Sequence, residues 1–189
     1  GAHVVDMIRE QDGVEPIPVW VASQTRTITT VLEEPIHRQT AFFEPGSRVT
    51  DAEAERLVEI FAEAVHEARV VTFNGTVPDP NIRGLYPRLI ALAKAAGALT
   101  VLDSHGPEFA LGLEALPYMV KPNVAETEEL VGFRLDTDAA KWKAIDALHA
   151  RGVEVVVLSL GKDGALVSRN GDRLHVVPPA IQEVNPVGS

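Results

Sequence analysis

Lys121-Pro122-Asn123, with Glu126 three positions on, brings an ammonium, a side-chain amide and a carboxylate into one short segment. Asn followed three residues later by Glu reads as a helix start with Asn at the N-cap. Tyr118-Met119-Val120, just ahead of it, reads as a buried strand. A strand end that feeds a helix N-terminus is where an open α/β sheet holds ligands. The free N–H groups of that helix end favour phosphate. On this reading Lys121 meets a transferring phosphoryl group as a point charge and Asn123 contacts phosphate or metal. Glu126 would hold Mg²⁺ through water. The same pair is equally the reciprocal cap of an ordinary helix, and the residues alone leave both readings open.

Other segments have a similar double reading. Ser159-Leu160-Gly161-Lys162-Asp163-Gly164 follows the most apolar strand of the chain. Its two glycines let backbone N–H groups turn toward an anion, or simply make a tight connection to a hairpin. It lacks the spacing of a P-loop. Asn74-Gly75-Thr76-Val77-Pro78 closes another strand with small residues that would let a sugar approach the backbone, or that make a plain turn. Arg26, between Thr25 and Thr27, suits a bidentate phosphate contact, or is a solvated charge on an edge strand. Asp103 ends a strand and reads as a metal or sugar ligand or as a turn cap. Ser104 and His105 are adjacent, which is no triad, and the remaining histidines show no metal-ligand spacing.

The elements that must position these residues fall into three zones. Residues 4–44 are β-rich, with Arg26 to Glu33 dense in β-branched side chains and Thr40 to Phe43 a further short strand. From Thr50, which forms a capping box with Glu53, helices and strands alternate. Strands are expected before Asn74, Asp103, Lys121 and Ser159, all pointing their C-terminal ends at one rim. Val153 to Leu158 is apolar but for Glu154, as in a parallel sheet covered by helices on both faces. Asn170-Gly171 marks a hairpin in the third zone.

Composition narrows the function classes. The chain of 189 residues can bury one sizeable core. A net charge of −10 argues against a large nucleic-acid footprint. Cysteine is absent, which removes disulfides and thiolate chemistry and agrees with a cytoplasmic setting. The apolar runs are of strand length, far short of a membrane span. No Gly-x-Gly-x-x-Gly follows an early strand, which weakens a dinucleotide-dependent oxidoreductase.

Taken in order, Thr25-Arg26-Thr27, Asn74 to Pro78, Val120 to Asn123 with Glu126, Ser159 to Gly161 with Gly164, and Asn185-Pro186-Val187-Gly188-Ser189 resemble the ribokinase-like sugar kinases of the PfkB family. The nearest branch is that of 1-phosphofructokinase and tagatose-6-phosphate kinase. The resemblance implies a three-layer α/β/α fold with a mainly parallel sheet. It implies a core of residues 1–19 and 45–189 and a β-rich lid at 20–44. It implies ATP and Mg²⁺ as cofactors, a sugar phosphate as acceptor and a homodimer formed through the lid. Lys121, Asn123 and the loop of Ser159, Leu160, Gly161, Lys162, Asp163 and Gly164 become nucleotide contacts. Glu126 becomes the metal-associated carboxylate, and Arg26, Gly75 and Thr76 become sugar-phosphate contacts. Gly188 and Ser189 become part of an anion hole. The catalytic Asp of the family is expected just beyond Ser189, so the chain resembles the middle of a kinase, inactive by itself. Asn74 and Thr76 stand where the family usually has Ser, and Pro186 where Thr is common. A non-catalytic sugar-phosphate or nucleotide sensor on the same fold is the alternative.

Overall fold

The computed structural model describes residues 1–33 and 38–179. Gly188 and Ser189, and with them the proposed anion hole, lie outside the described residues. The chain opens with a short helix, α1 (Ala2–Met7), none of whose side chains is buried. It falls largely within the zone read as β-rich, and a helix that buries nothing needs no apolar stripe. Two antiparallel strands follow, β1 (Ile28–Glu33) and β2 (Arg38–Phe43), paired from Ile28–Phe43 to Glu33–Arg38. They form a separate two-stranded sheet. Phe42 and Phe43 are 61% and 67% exposed on it, one on each face.

The remainder is the expected alternation. Helix α2 (Asp51–Ala64) begins with Thr50 and Glu53 in a reciprocal capping box. Strands β3 (Val70–Asn74), β4 (Leu99–Asp103), β5 (Met119–Val120) and β6 (Val155–Ser159) run parallel, each beside the next. They alternate with α3 (Leu85–Ala95), α4 (Gly106–Glu114), α5 (Val124–Val131) and α6 (Asp138–Ala150). Strands β7 (Ala165–Arg169) and β8 (Asp172–Val176) extend the sheet antiparallel. Asn170 and Gly171 join them with φ of 52° and 88°, the left-handed pair of a two-residue hairpin turn.

Phe73, Leu102, Val120, Val156 and Ser168 lie side by side across the sheet and face the helices. Leu102, Val120 and Val156 are fully buried. A Cβ on Gly112 of α4 would sit 2.8 Å from Leu102 and 3.6 Å from Ile90 of α3, so sheet and helices interlock there. His149 of α6 is hydrogen-bonded to the Ser168 hydroxyl at 2.9 Å. Right-handed crossovers between neighbouring parallel strands place every connecting helix on one side. The apolar runs led to the expectation of helices on both faces; the described residues cover one. On the other, Val70 and Leu99 remain 53% and 45% exposed. Among the described residues no helix is long and apolar enough to cross a membrane.

Candidate active site

The ends of β3, β4, β5 and β6 form one rim, and the contacts along it are continuous. Asn74 and Asp103 are register partners. The Gly75 N–H donates to the Asp103 carbonyl at 3.0 Å. The Asp103 carboxylate pairs with the Lys121 ammonium at 3.0 Å, both groups being part-exposed. Asn123 bridges to Ser159 in parallel fashion, and the Ser159 N–H donates to Pro122 O at 2.9 Å. Four segments far apart in sequence are thus held in one line by backbone and ion-pair contacts.

Asn123 and Glu126 realise the capping reading in full. Asn123 Oδ1 accepts from the Glu126 N–H at 2.9 Å, and Glu126 Oε2 accepts from the Asn123 N–H at 2.8 Å. The cap uses one oxygen of each side chain. It leaves the amide Nδ2 and carboxylate Oε1 outside the box, so capping and ligand contact are compatible. Among the described residues no group of three or more His, Cys, Asp or Glu could hold a metal ion. Glu126 therefore fits a magnesium ion only as one carboxylate beside waters and nucleotide phosphates, a common mode for that ion.

After Ser159 the chain makes a 3₁₀ turn over Gly161–Asp163. It is closed by Leu160 N–H to Gly164 O at 2.7 Å and Gly164 N–H to Gly161 O at 3.0 Å. His175 on β8 donates from Nε2 to the Asp163 carbonyl at 3.0 Å and pins the turn to the hairpin. Lys162 is exposed at its tip.

At the other end of the rim, Arg26 and Thr76 line one cavity of about 250 Å³ with Ser23, Thr25, Ser47 and Pro78. Arg26 lies in the loop before β1, and among the described residues no carboxylate pairs with it. The cavity walls are tied down. Ser47 Oγ donates to Gln24 O at 2.6 Å and Ser23 Oγ to Arg48 O at 2.7 Å. Asp79, 6% exposed, accepts from the Val49 N–H at 3.1 Å and the Asn81 N–H at 3.0 Å. Those two amides, Asn81 first, hold its carboxyl below the usual aspartate value. Glu53 accepts from the Ala22 N–H at 2.7 Å as well as capping α2. The amides of Thr50, then of Ala22, lower its pKa. Gly46 packs on the Pro78 backbone so closely that a Cβ there would lie 1.9 Å from the Pro78 oxygen.

The structure therefore gathers every described site residue expected from sequence onto one rim and the cavity at its end. Three participants escaped that expectation. Asp103 figured as a turn cap or ligand, not as the partner of Lys121. Asp79 and Tyr86 were missed, although Asp79 before Pro80 is a readable helix-start signal.

Comparison with known proteins follows the same lines. The family model described as pfkB family carbohydrate kinase matches residues 7–189. A 1-phosphofructokinase of Xanthomonas campestris pv. campestris is 32% identical over 100% of this chain and 60% of its own length. A tagatose-6-phosphate kinase of Staphylococcus epidermidis is 30% identical over 89% of this chain and 55% of its own. The chain thus spans little more than half the length of these relatives. Phosphofructokinase-2 of Escherichia coli, in a crystal structure with substrates and products, superposes with a TM-score of 0.89 at 27% identity. That match covers 99% of this chain and 61% of the other. The mainly parallel sheet with its appended two-stranded sheet is the ribokinase-like α/β fold, as the motifs implied. By the extent of the family match, this chain belongs to the pfkB family of carbohydrate kinases.

Proposed function

We propose that the full-length protein transfers the γ-phosphoryl group of ATP to a hydroxyl of a sugar phosphate. One observation carries this reading: the contacts Gly75–Asp103–Lys121 and Asn123–Ser159 join a sugar-sized cavity and a glycine turn into one continuous rim. Arg26 and Thr76 in the cavity bind the phosphate and a hydroxyl of the acceptor. A guanidinium with no carboxylate partner among the described residues has its five donors free for such a contact. Lys121 and Asn123 hold the nucleotide phosphates, and the backbone of Ser159 to Gly164 lies along the nucleotide.

Mg²⁺ bound with ATP supplies neutralisation of the phosphate charge. Glu126 would help hold that ion with the oxygen its cap leaves over. Lys121 adds positive charge where the transferring group develops negative charge, and the Asp103 carboxylate fixes its position before ATP arrives. Gly188 and Ser189 are proposed as anion-hole donors, with the Asp of a Gly-Asp pair just beyond them as base. Catalysis on this account is mainly positioning and charge stabilisation.

The test is ATP consumption by the full-length protein over fructose 1-phosphate, fructose 6-phosphate, tagatose 6-phosphate and the free sugars. Turnover with at least one phosphorylated sugar is expected, with near-complete loss on replacing the proposed Asp by Asn. Turnover close to wild type in that variant would sink the assignment. ATP or sugar-phosphate binding with no turnover in the wild type would favour a sensor.

A further inference from the structure

We infer that Tyr86 is a positioning residue for the acceptor, fixing the Asn74–Thr76 turn from beneath the rim; this rests on the kinase reading above. Its hydroxyl lies 2.9 Å from the Asn74 carbonyl and 3.2 Å from the Gly75 carbonyl. One phenolic proton is shared between two acceptors, so the bond constrains the orientation of two successive peptide units. The Gly75 N–H is already held by the Asp103 carbonyl. Gly75 has φ of +77°, a conformation other residues rarely adopt. The turn is thus fixed at its amide, at both carbonyls and by its backbone dihedral. Thr76, the next residue, is the one that reaches the cavity shared with Arg26.

Tyr86 is itself well anchored. It sits in the first turn of α3 and is 9% exposed. Its ring packs edge-on against Phe73, with centroids 5.8 Å apart and planes at 65°, and Phe73 packs in turn on Phe61. Behind it lies Glu108, 7% exposed, whose carboxylate accepts from Arg83 Nε at 3.3 Å. Burial, then the charge of Glu108, raises the pKa of the phenol and keeps it protonated. Tyr86 does not line the Arg26 cavity, so it acts on the acceptor through Thr76 rather than by touching it.

The test is Tyr86→Phe in the full-length protein, a change that keeps the ring and its packing. Two readouts are needed. Exchange of the Gly75 amide with deuterium, followed by NMR, should accelerate about 3- to 10-fold, the size of one net hydrogen bond. The KM for the preferred sugar phosphate should rise by a similar factor, while the KM for ATP and kcat stay within about twofold. A merely structural role would move all the kinetic constants together, or Tm alone. Unchanged Gly75 exchange overturns the inference whatever the enzyme does. So does an equal rise in both KM values. Faster Gly75 exchange in a protein that phosphorylates no sugar phosphate would uphold the strut and refute the kinase reading instead.

Discussion

Gly46→Ala offers the sharpest test of how the cavity is built. Gly46 has no left-handed φ, so space rather than backbone conformation decides what its replacement costs. An added Cβ would stand 1.9 Å from the Pro78 oxygen and 2.9 Å from its carbonyl carbon. Both are backbone atoms, and no side chain can swing aside to relieve the overlap. Since Cβ atoms essentially never come closer than 3.0 Å, residues 46 and 78 must part by about 1.1 Å. Both segments line the cavity, Ser47 and Val49 from one and Thr76 and Pro78 from the other. A displacement of about 1 Å at a reacting site costs on the order of 10²-fold, or about 2.7 kcal/mol of transition-state stabilisation. Overpacking strain adds roughly 1–3 kcal/mol against folding, a fall of roughly 2–12 °C in Tm for a chain of this size. The assay is steady-state kinetics of the full-length protein with the sugar phosphate varied at saturating ATP, then the reverse. The expected result is a loss of about 10² in kcat/KM for the sugar phosphate with the KM for ATP within about threefold, because Ser159 to Gly164 lies at the far end of the rim. Gly84→Ala is the control, since nothing lies within 4 Å of a Cβ there and its φ is −71°. A Gly46→Ala enzyme within about threefold of wild type on both substrates would refute the contact as a determinant of cavity geometry.

Two further outcomes follow from the same rim. Lys121→Met removes the cation beside Asp103 while keeping an unbranched apolar stem. It should weaken ATP binding, measured by calorimetry, by roughly 10- to 100-fold, the range of one hydrogen bond to a charged group; unaltered affinity would remove Lys121 from the nucleotide site. Asp79 and Glu53 predict an acid-sensitive seat for the cavity. Their folded pKa values lie below the ordinary 3.8 and 4.5, so the stability they add is fully present above those values and is lost as pH falls through the lowered ones. Thermal unfolding of Asp79→Asn and Glu53→Gln should therefore fall below wild type at pH 7. The gap should close as pH drops below about 4. A gap of constant size from pH 7 to pH 3 would show that the carboxylate charges contribute nothing there.

The rim was legible in the sequence because each of its segments is punctuated locally. Asn123 and Glu126 are three residues apart and cap one helix, so their relation needs no knowledge of the fold. Gly75, Gly161 and Gly164 mark sharp turns directly after apolar runs, and a run plus a turn gives both strand and strand end. What escaped was whatever depends on a distant partner. Tyr86 reaches back 12 residues to Asn74, Arg83 forward 25 to Glu108, and Asp79 back 30 to Val49. The ring of Tyr86 fills a core position of α3. Only the fold reveals that its hydroxyl points at the turn. Arg26 was legible for its chemistry but not for its place: it stands in the loop ahead of β1, where it can face Thr76, rather than within an edge strand.

The strand β6 shows what an apolar run does and does not encode. Val156 and Leu158 are fully buried beneath the helices, while Val155 and Val157 on the opposite face are only part-buried. Hydrophobicity was read there as coverage on both faces, yet the described residues cover one. A residue's type is selected by its surroundings in the complete fold, so an apolar run measures total burial rather than the burial any one segment of chain supplies. β8 gives the contrasting case. Asp172, Arg173 and His175 place charged and polar side chains on an outer strand, as edge strands commonly do to discourage further pairing, and all of its residues are exposed. Charge thus marks β8 as an outer strand, and the turns that follow β3, β4, β5 and β6 place the rim. Which side chains then meet across the rim is set by strand order, and that is why the Asp103–Lys121 pair and the Tyr86 strut appear only in the folded chain.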